Sequence, residues 1–433
     1  MNTSFDLNHI WHPFTQMEHH HAGTFPLIPI TKAKGGYLYD EKGQAILDGI
    51  SSWWTCSIGH CHSKVVQAIQ QQAQTLDHVM FSGFTHEPAI RLAQKILELT
   101  PKKLNKVFFS DDGSTAVECA LKMATQYWHN SGQPQRKKFL TLERAYHGDT
   151  VGAMSLGATS EFHHVFQHLR FPTLSLPISF NESNFLEEFE HIIQQHHHEL
   201  IGIFLEPLVL GAGGMQMYSA HVLSEMVRIT HAHDLLVMFY EVMTGFGRTG
   251  KMFALDHLSN DAPDILCLSK GISGGALPLG LTVISEHIEH AFRDSGFNHT
   301  KTFFHGHSYT ANPICCAAAE AALCVLVEEK LIPHLNALEP IFQKWLKHFQ
   351  TSPLPLRSPR FLGDIFALDV TPNPRISEPF SYAIFKKALQ RHALIRPIGH
   401  MVYLMPPLCI CAQELDTLFS VLDECLQEYF MSS

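Results

Sequence analysis

The chain has 433 residues, of which 45% are hydrophobic and 17% are charged. At about 150 residues per domain this length predicts two or more domains, and the apolar content excludes a disordered chain. The formal net charge of −10 argues against a nucleic-acid-binding protein, which would carry a basic surface.

The N-terminal segment, residues 1–50, contains a hairpin pattern. Two short apolar runs, Tyr37–Asp40 and Ala45–Asp48, flank a turn at Gly43. This spacing is typical of two antiparallel strands. We expect the hairpin to join the C-terminal part of the chain.

The middle of the chain alternates short apolar runs with helical patterns. A helix is predicted from Gly113 to Trp128 and another over 220–233. Strands are predicted over 106–110, 139–142, 200–205, 235–240, 264–269 and 279–284. Continuous apolar strands separated by helices are typical of an α/β protein with a mostly parallel sheet covered on both faces.

The alternation weakens after about residue 310, which indicates a second domain. An Ala-rich helix is predicted over 311–329, a strand over 365–370 and a helix over 414–429. We therefore expect a large domain over 51–325, and a small α+β domain built from 1–50 and 326–433.

The cysteines and the N-terminus indicate a cytoplasmic protein. The ten cysteines form no CxxC pair, so no metal site is predicted. The first residues do not read as a signal peptide, and no apolar run approaches the about 18 residues of a membrane span. A reducing compartment is the expectation for such a chain.

Ligands of open parallel sheets bind at the carboxyl ends of the strands. The first predicted large-domain strand is followed by Gly113 and Ser114 at the start of a helix. Glycine permits close backbone approach, and a helix N-terminus with a hydroxyl suits a phosphate. The alternative is an ordinary helix cap at Ser114.

Two further strand ends carry candidate residues. Tyr146 precedes a glycine turn, where it would stack on a planar cofactor or simply pack in the loop. Lys270 ends an apolar strand, where desolvation would lower its pKa and make it a Schiff-base nucleophile; the alternative is a surface lysine. A phosphate site, a stacking aromatic and a desolvated lysine together predict pyridoxal phosphate.

On these residues the chain resembles the class III aminotransferases of the fold-type I pyridoxal-phosphate family. The similarity runs nearly end to end, and TGFGRTG at 244–250 is its most specific short motif. The chain most resembles the branch that transfers an amino group from S-adenosylmethionine to 8-amino-7-oxononanoate in biotin synthesis. The matching segments are 9–15, 51–54, 113–118, 146–150, 206–215, 304–308, 395–397 and 403–407.

The resemblance implies roles for the cofactor residues. Lys270 would form the Schiff base and shuttle the proton of the transfer in a ping-pong cycle. Gly113 and Ser114 would hold the phosphate, and Tyr146 would stack on the pyridine ring and touch the substrate.

The resemblance also implies a homodimer with shared active sites. Residues of the loop at 304–308 would reach the phosphate and substrate of the neighbouring subunit: Gly306, His307 and Ser308. Trp53 and Trp54 would line an apolar groove for the long-chain keto acid, and Arg396 would pair with its carboxylate. Core packing of the tryptophans and a structural ion pair of the arginine are the alternatives. The remaining substrate-binding positions are Phe14, where many relatives have Tyr, and Tyr403.

The largest departure from the family pattern is Tyr240, where the family has an Asp that keeps the pyridine nitrogen protonated. A phenol with an ordinary pKa near 10 does not hold that proton in the same way. Glu241 would point to the opposite face of the strand. Three interpretations stay open: an impaired variant, a relative with a phenol-bonded neutral pyridine, or a Tyr240 that moves aside for water.

Two other functions compete with this one. An aminotransferase acting on another ω-amino acid is the first, and a catalytically silent paralogue, favoured by Tyr240 and opposed by Lys270, is the second. The amino donor also stays open, because some members of the branch use lysine.

Overall fold

The structure is a computed structural model that describes residues 1–157, 162–178, 182–259, 262–296 and 299–431. It divides into two compact units. The larger unit is Ser63–Ile332, and the smaller one combines Met1–His62 with Pro333–Ser433.

The larger unit contains a seven-stranded sheet. Only one strand in it, Gly280–Ser285, runs antiparallel to its two neighbours, so the sheet is mostly parallel as predicted. Across the sheet the strands are Leu104–Ser110, Gly280–Ser285, Ile265–Leu268, Leu236–Tyr240, Leu200–Leu205, Lys138–Leu142 and Leu174–Leu176. The predicted strands all form, with ends that differ by one or two residues.

Helices surround this sheet and bury its apolar side chains. The helix Gly113–Asn130 turns a row of small residues toward the strands, among them Ala116, Ala120 and Ala124, each with no exposed surface. Alanine lets the helix approach closely and pack at high density. The other helices of this unit are Ser63–Thr75, Glu87–Leu99, Val151–Leu156, Glu182–His196, Ala220–Ala232, Glu286–His290 and Pro313–Glu328.

The smaller unit joins the two ends of the chain in one sheet. Strand Ala45–Asp48 of the predicted hairpin pairs in parallel with Ala393–Leu394, which confirms that the hairpin joins the C-terminal segment. Strand Ile30–Lys34 completes this sheet. A second sheet contains Leu356–Leu362, Ile365–Val370 and Met401–Leu404. The helices are Thr3–His9, Met17–His21, Glu339–Gln350, Phe380–Gln390 and Ala412–Met431, while Leu331–Ala337 spans the division between the units.

The N-terminal part of the smaller unit extends to His62 instead of ending at residue 50. Hydrogen bonds to the C-terminal segment explain the difference. The Ser51 hydroxyl donates to the Met405 carbonyl at 2.8 Å, and the Leu408 N–H donates to the Ser57 carbonyl at 2.8 Å. Within the described ranges no helix is both long and apolar enough to cross a membrane.

Candidate active site

Lys270 lies just past the strand Ile265–Leu268, at the carboxyl edge of the large sheet. Its backbone is left-handed (φ 33°), a strained conformation for a side-chain-bearing residue. Burial lowers the pKa of the Lys270 amine to about 8, and the negative charges of Glu206, Asp149 and Asp112 oppose part of that decrease. Lys270 is half-buried, which favours the predicted desolvated lysine over the alternative of a surface lysine.

Gly113 and Ser114 open an 18-residue helix, Gly113–Asn130. The cap of this helix is Asp112, whose carboxylate accepts the Thr115 N–H at 2.8 Å while the Thr115 hydroxyl accepts the Asp112 N–H at 3.0 Å. The alternative of a cap at Ser114 is therefore wrong. The capping box satisfies the Thr115 N–H with the Asp112 side chain. The earlier N–H groups, those of Gly113 and Ser114, have no acceptor within the helix, which is what a phosphate site requires.

Close packing requires glycine around this helix start. A Cβ on Gly148 (φ 123°) would lie 2.0 Å from the Ser114 hydroxyl oxygen. A Cβ on Gly113 would lie 2.6 Å from a methyl group of Val242. Glycine therefore keeps the Ser114 hydroxyl beside the loop that follows Tyr146.

Tyr146 is half-buried, and its hydroxyl donates to the Asp149 carboxylate at 3.0 Å. Its ring stacks on the imidazole of His163, with 6.0 Å between the ring centroids. Burial raises the pKa of the Tyr146 phenol, and the neighbouring carboxylates add to the increase. The side chain is thus held as a neutral phenol by Asp149.

Glu206, like His147 and Asp149, is a residue of this site to which the sequence alone gave no role. It follows the buried strand Leu200–Leu205, and its carboxylate accepts the Tyr146 N–H at 2.8 Å and the Gly211 N–H at 2.9 Å. Burial raises the pKa of Glu206 to about 8, against the two backbone N–H groups and Lys270, which lower it. A carboxylate directly after a wholly apolar strand is the signal that would have identified it.

Tyr240 ends the strand Leu236–Tyr240 and is buried. Its ring lies edge-to-face with the imidazole of His147, and its centroid is 5.9 Å from the Lys270 amine. Burial raises the pKa of the Tyr240 phenol well above its ordinary value. Tyr240 is therefore neutral, and it lies close to the amine.

His147 is completely buried, between the rings of Tyr240 and Phe204. Neither of its ring nitrogens has a hydrogen-bond partner among the described residues. Burial lowers the pKa of His147 to about 3, so the imidazole is neutral. Buried polar groups are normally paired, so the two ring nitrogens of His147 are an exception among the described residues.

Glu241 does not replace the missing carboxylate. Its two oxygens accept the N–H groups of Ala254 at 2.6 Å and Leu255 at 2.8 Å. It therefore caps the short 3₁₀ helix Ala254–His257 on the other face of the strand, as the alternation of strand side chains predicts.

The loop that contains Gly306, His307 and Ser308 is bordered by two exposed aromatic side chains, those of Phe304 and Tyr309. The His307 N–H donates to the Thr310 hydroxyl at 3.2 Å, and the His307 imidazole lies 4.0 Å from the Asp111 carboxylate. Gly306 and Ser308 are exposed.

The predicted substrate tryptophans occupy a one-turn segment, Ser51–Trp54, of the smaller unit. All four residues have positive φ, between 45° and 73°. A left-handed turn costs roughly 1–2 kcal/mol per residue. The two rings separate: Trp54 is 4% exposed and packs edge-to-face against Tyr403, whereas Trp53 is 39% exposed. Core packing thus describes Trp54, and Trp53 is the ring available to a ligand.

Phe14 and Arg396 lie beside Trp53. The Phe14 ring meets the indole edge-to-face with 5.4 Å between centroids, and the Arg396 guanidinium lies 5.3 Å from the Trp53 ring centroid. Burial lowers the pKa of Arg396, and the phenols of Tyr403 and Tyr382 are the neighbours that oppose this change. The contact observed for the guanidinium is therefore with an aromatic ring.

The larger unit fits a phosphorylated aldehyde. The start of the helix Gly113–Asn130, with the Ser114 hydroxyl, suits the phosphate, and the Lys270 amine suits the carbonyl carbon. Tyr240 and His147 supply no negative charge for a ring nitrogen. An amine of lowered pKa at the carboxyl edge of a parallel sheet, near a helix N-terminus, defines a pyridoxal-phosphate-dependent enzyme.

The sequence profile of the family aminotransferase class-III matches residues 18–426. The chain therefore belongs to the class III aminotransferases, which are pyridoxal-phosphate-dependent transaminases of α/β fold. It is 41% identical to the adenosylmethionine-8-amino-7-oxononanoate aminotransferase of Synechococcus elongatus, over 97% of this chain and 99% of that protein.

Solved structures agree with this assignment. The crystal structure of adenosylmethionine-8-amino-7-oxononanoate aminotransferase from Methanocaldococcus jannaschii has a TM-score of 0.92 and 35% identity, over 98% of each chain. An amine transaminase from an uncultivated Pseudomonas species, in its pyridoxal-phosphate-bound form, has a TM-score of 0.88 and 30% identity, over 97% of this chain and 99% of that one.

Proposed function

We propose that this protein transfers an amino group from S-adenosylmethionine to 8-amino-7-oxononanoate, in biotin synthesis and in the cytoplasm. The observation that carries the proposal is the position of Lys270 at the carboxyl edge of the large sheet, where the charge of Asp112, the cap of the helix Gly113–Asn130, acts on its amine. The near full-length similarity to proteins named for this reaction supports this choice of substrates. None of the ten cysteines, all of which lie in the described ranges, forms a disulfide, which agrees with a reducing compartment.

The Lys270 amine is the reacting group. With a pKa of about 8, about half of it is neutral at pH 8, and only the neutral form attacks a carbonyl carbon or accepts a proton. Pyridoxal phosphate, when bound, supplies the electron sink for the carbanion of amino transfer. Lys270 Nζ would accept the proton from the substrate carbon and then, as the ammonium, would donate it again to complete the transfer.

Glu206 and Asp149 position Tyr146. Glu206 fixes the backbone of Tyr146 through its N–H, and Asp149 fixes the Tyr146 hydroxyl. The Tyr146 ring is thereby set to stack on the cofactor and to restrict water beside Lys270.

We expect Tyr240 to slow the amino transfer. A neutral phenol beside a neutral His147 offers no negative charge, so the ring nitrogen of the cofactor is not kept protonated. The Lys270 amine would still hold the cofactor, and the proton removal carried out by Lys270 Nζ would be the slow step. If the proton transfer is slowed far enough, the protein is catalytically silent.

Exposed apolar side chains support a homodimer with shared active sites. Phe304 and Tyr309, on either side of residues 306–308, are 75% and 65% exposed. Met80 and Phe84 are each 57% exposed. Phe304 and Tyr309 flank one loop, and exposed apolar side chains that cluster in one place favour a surface that another chain covers. Sedimentation equilibrium of the holoenzyme tests this, since a monomer at micromolar concentration would contradict a shared site.

The test of the reaction is the visible spectrum of the protein with pyridoxal phosphate, before and after S-adenosylmethionine is added. A slow conversion of the bound cofactor to its aminated form supports the proposed donor and the effect of Tyr240. Conversion with lysine but not with S-adenosylmethionine would mean that lysine is the amino donor. An unchanged spectrum with both donors would identify a silent protein.

A further inference from the structure

The left-handed turn Ser51–Trp54 is held by a completely buried carboxylate, Asp48. One oxygen of Asp48 accepts the Ile50 N–H at 3.2 Å. The other accepts the Ser52 hydroxyl at 2.7 Å and the His60 Nε2 at 2.9 Å. Three donors from three residues thus converge on one buried carboxylate, which satisfies its charge.

The arrangement does not have the geometry of a hydrolytic triad. In such a triad the two different imidazole nitrogens bridge the nucleophile and the carboxylate. Here His60 Nε2 lies 2.9 Å from the Asp48 carboxylate and 3.4 Å from the Ser52 hydroxyl, so both contacts fall on one nitrogen. The cluster therefore holds structure instead of relaying a proton.

The turn needs such a cluster because its backbone is strained. Four consecutive residues with positive φ persist only where their surroundings determine the conformation. The Ser51 hydroxyl bonds to the Met405 carbonyl at 2.8 Å, and Asp48 bonds to both Ile50 and Ser52. The contact of Ser52 with His60 connects the turn to a residue eight positions further along the chain.

The consequence of the turn is the position of Trp53. The left-handed backbone buries the next ring, Trp54, and leaves the Trp53 indole 5.3 Å from the Arg396 guanidinium and 5.4 Å from the Phe14 ring. A right-handed turn would direct the indole elsewhere, because φ and ψ set the direction of Cβ.

We propose that Asp48, Ser52 and His60 are positioning residues, which hold the turn that sets Trp53 against Arg396 and thereby set the affinity for the apolar, carboxylate-bearing acceptor. The acceptor part rests on the proposed function; the placement of Trp53 does not. None of the three side chains is assigned a contact with substrate or cofactor.

The first experiment needs no ligand beyond the bound cofactor. The holoenzyme is labelled with 5-fluorotryptophan, and the Trp53 resonance is assigned by its loss in Trp53→Phe. In His60→Ala and Ser52→Ala we expect the Trp53 resonance to shift or broaden, while those of Trp128 and Trp345 stay. His60→Gln, which places an N–H donor where Nε2 was, should restore the wild-type position. An exposed histidine of the same unit provides the control, His400→Ala.

The second experiment measures the dissociation constant of 8-amino-7-oxononanoate by calorimetry, which does not depend on turnover. We expect His60→Ala to weaken binding by roughly five- to tenfold, the scale of one guanidinium–aromatic contact, and His60→Gln to bind within about twofold of wild type. The visible spectrum of the bound cofactor should be unchanged.

Each result decides one part of the proposal. An unchanged Trp53 resonance in both His60→Ala and Ser52→Ala overturns the positioning role. A shifted resonance with unchanged acceptor affinity supports the role of the cluster in placing Trp53 and overturns its link to the acceptor. An acceptor that fails to bind even the wild-type protein contradicts the proposed function, while the resonance still tests the cluster.

Discussion

The phenol ring of Tyr240 meets the imidazole of His147 edge-to-face, with 5.0 Å between the ring centroids and 80° between the ring planes. Both groups are buried and neutral, and neither nitrogen of His147 is hydrogen-bonded within the described part of the chain. This contact is where the site departs from the chemistry expected of the family.

Replacing Tyr240 with Asp should restore the reaction. A carboxylate there would favour a protonated cofactor ring, and one such electrostatic contact is worth about a hundredfold in rate. We expect that gain in the single-turnover amination of the cofactor by S-adenosylmethionine, followed by its visible spectrum. Tyr240→Phe is the control and should react no faster than wild type.

The same variant has a readout that does not involve turnover. A carboxylate beside His147 would favour its charged form and raise its pKa from about 3, which NMR of labelled histidine in the apoprotein would detect. A Tyr240→Asp protein with neither a faster reaction nor a changed His147 would show that residue 240 does not control the site.

Lys270 should lower the stability of the apoprotein near neutral pH. Its folded-state pKa of about 8 lies below the ordinary 10.5, so the folded state disfavours the protonated amine. This cost, up to roughly 3 kcal/mol, is complete below pH 8 and disappears as the pH rises toward 10.5. Lys270→Met should therefore raise the thermal midpoint of the apoprotein at pH 7 more than at pH 10. An equal effect at both pH values would mean that the amine is not desolvated.

Glu206 should set the pH at which the protein takes up its cofactor. The neutral Lys270 amine attacks the aldehyde, so the uptake rate should rise with pH around a midpoint of about 8. Glu206→Gln removes a negative charge that opposes the lowering of the Lys270 pKa, so the midpoint should move to lower pH. Stopped-flow absorbance measures this rate. Glu143→Gln, at an exposed position, should leave the midpoint in place.

Gly148→Ala should weaken cofactor binding. The added Cβ would lie 2.0 Å from the Ser114 hydroxyl oxygen and displace it from the helix start. We expect at least about a tenfold higher dissociation constant for pyridoxal phosphate, by absorbance titration. Gly132→Ala is a matched control, because Gly132 also has positive φ but a Cβ there meets no atom within 4 Å. It should cost about 1–2 kcal/mol of stability without changing the affinity.

The sequence by itself determined the large sheet and the place of Lys270. Continuous apolar runs such as Leu200–Leu205 and Ile265–Leu268 form strands of this sheet close to their predicted positions, because the strands of a parallel sheet are buried on both faces. A residue that follows a parallel strand lies at its carboxyl edge, so the position of Lys270 in the chain also determined its position in the fold.

Only the tertiary structure decided contacts between distant residues and the strained backbone. Glu206 bonds to Tyr146 across 60 positions, and His60 and Ser52 meet at Asp48. The pattern of apolar residues along the chain does not predict which distant polar side chains form hydrogen bonds with each other. The adjacent residues Trp53 and Trp54 were alike in the sequence; their separation into an exposed and a buried ring depends on a left-handed turn. Local preference opposes that turn, and it exists only because the surrounding hydrogen bonds hold it.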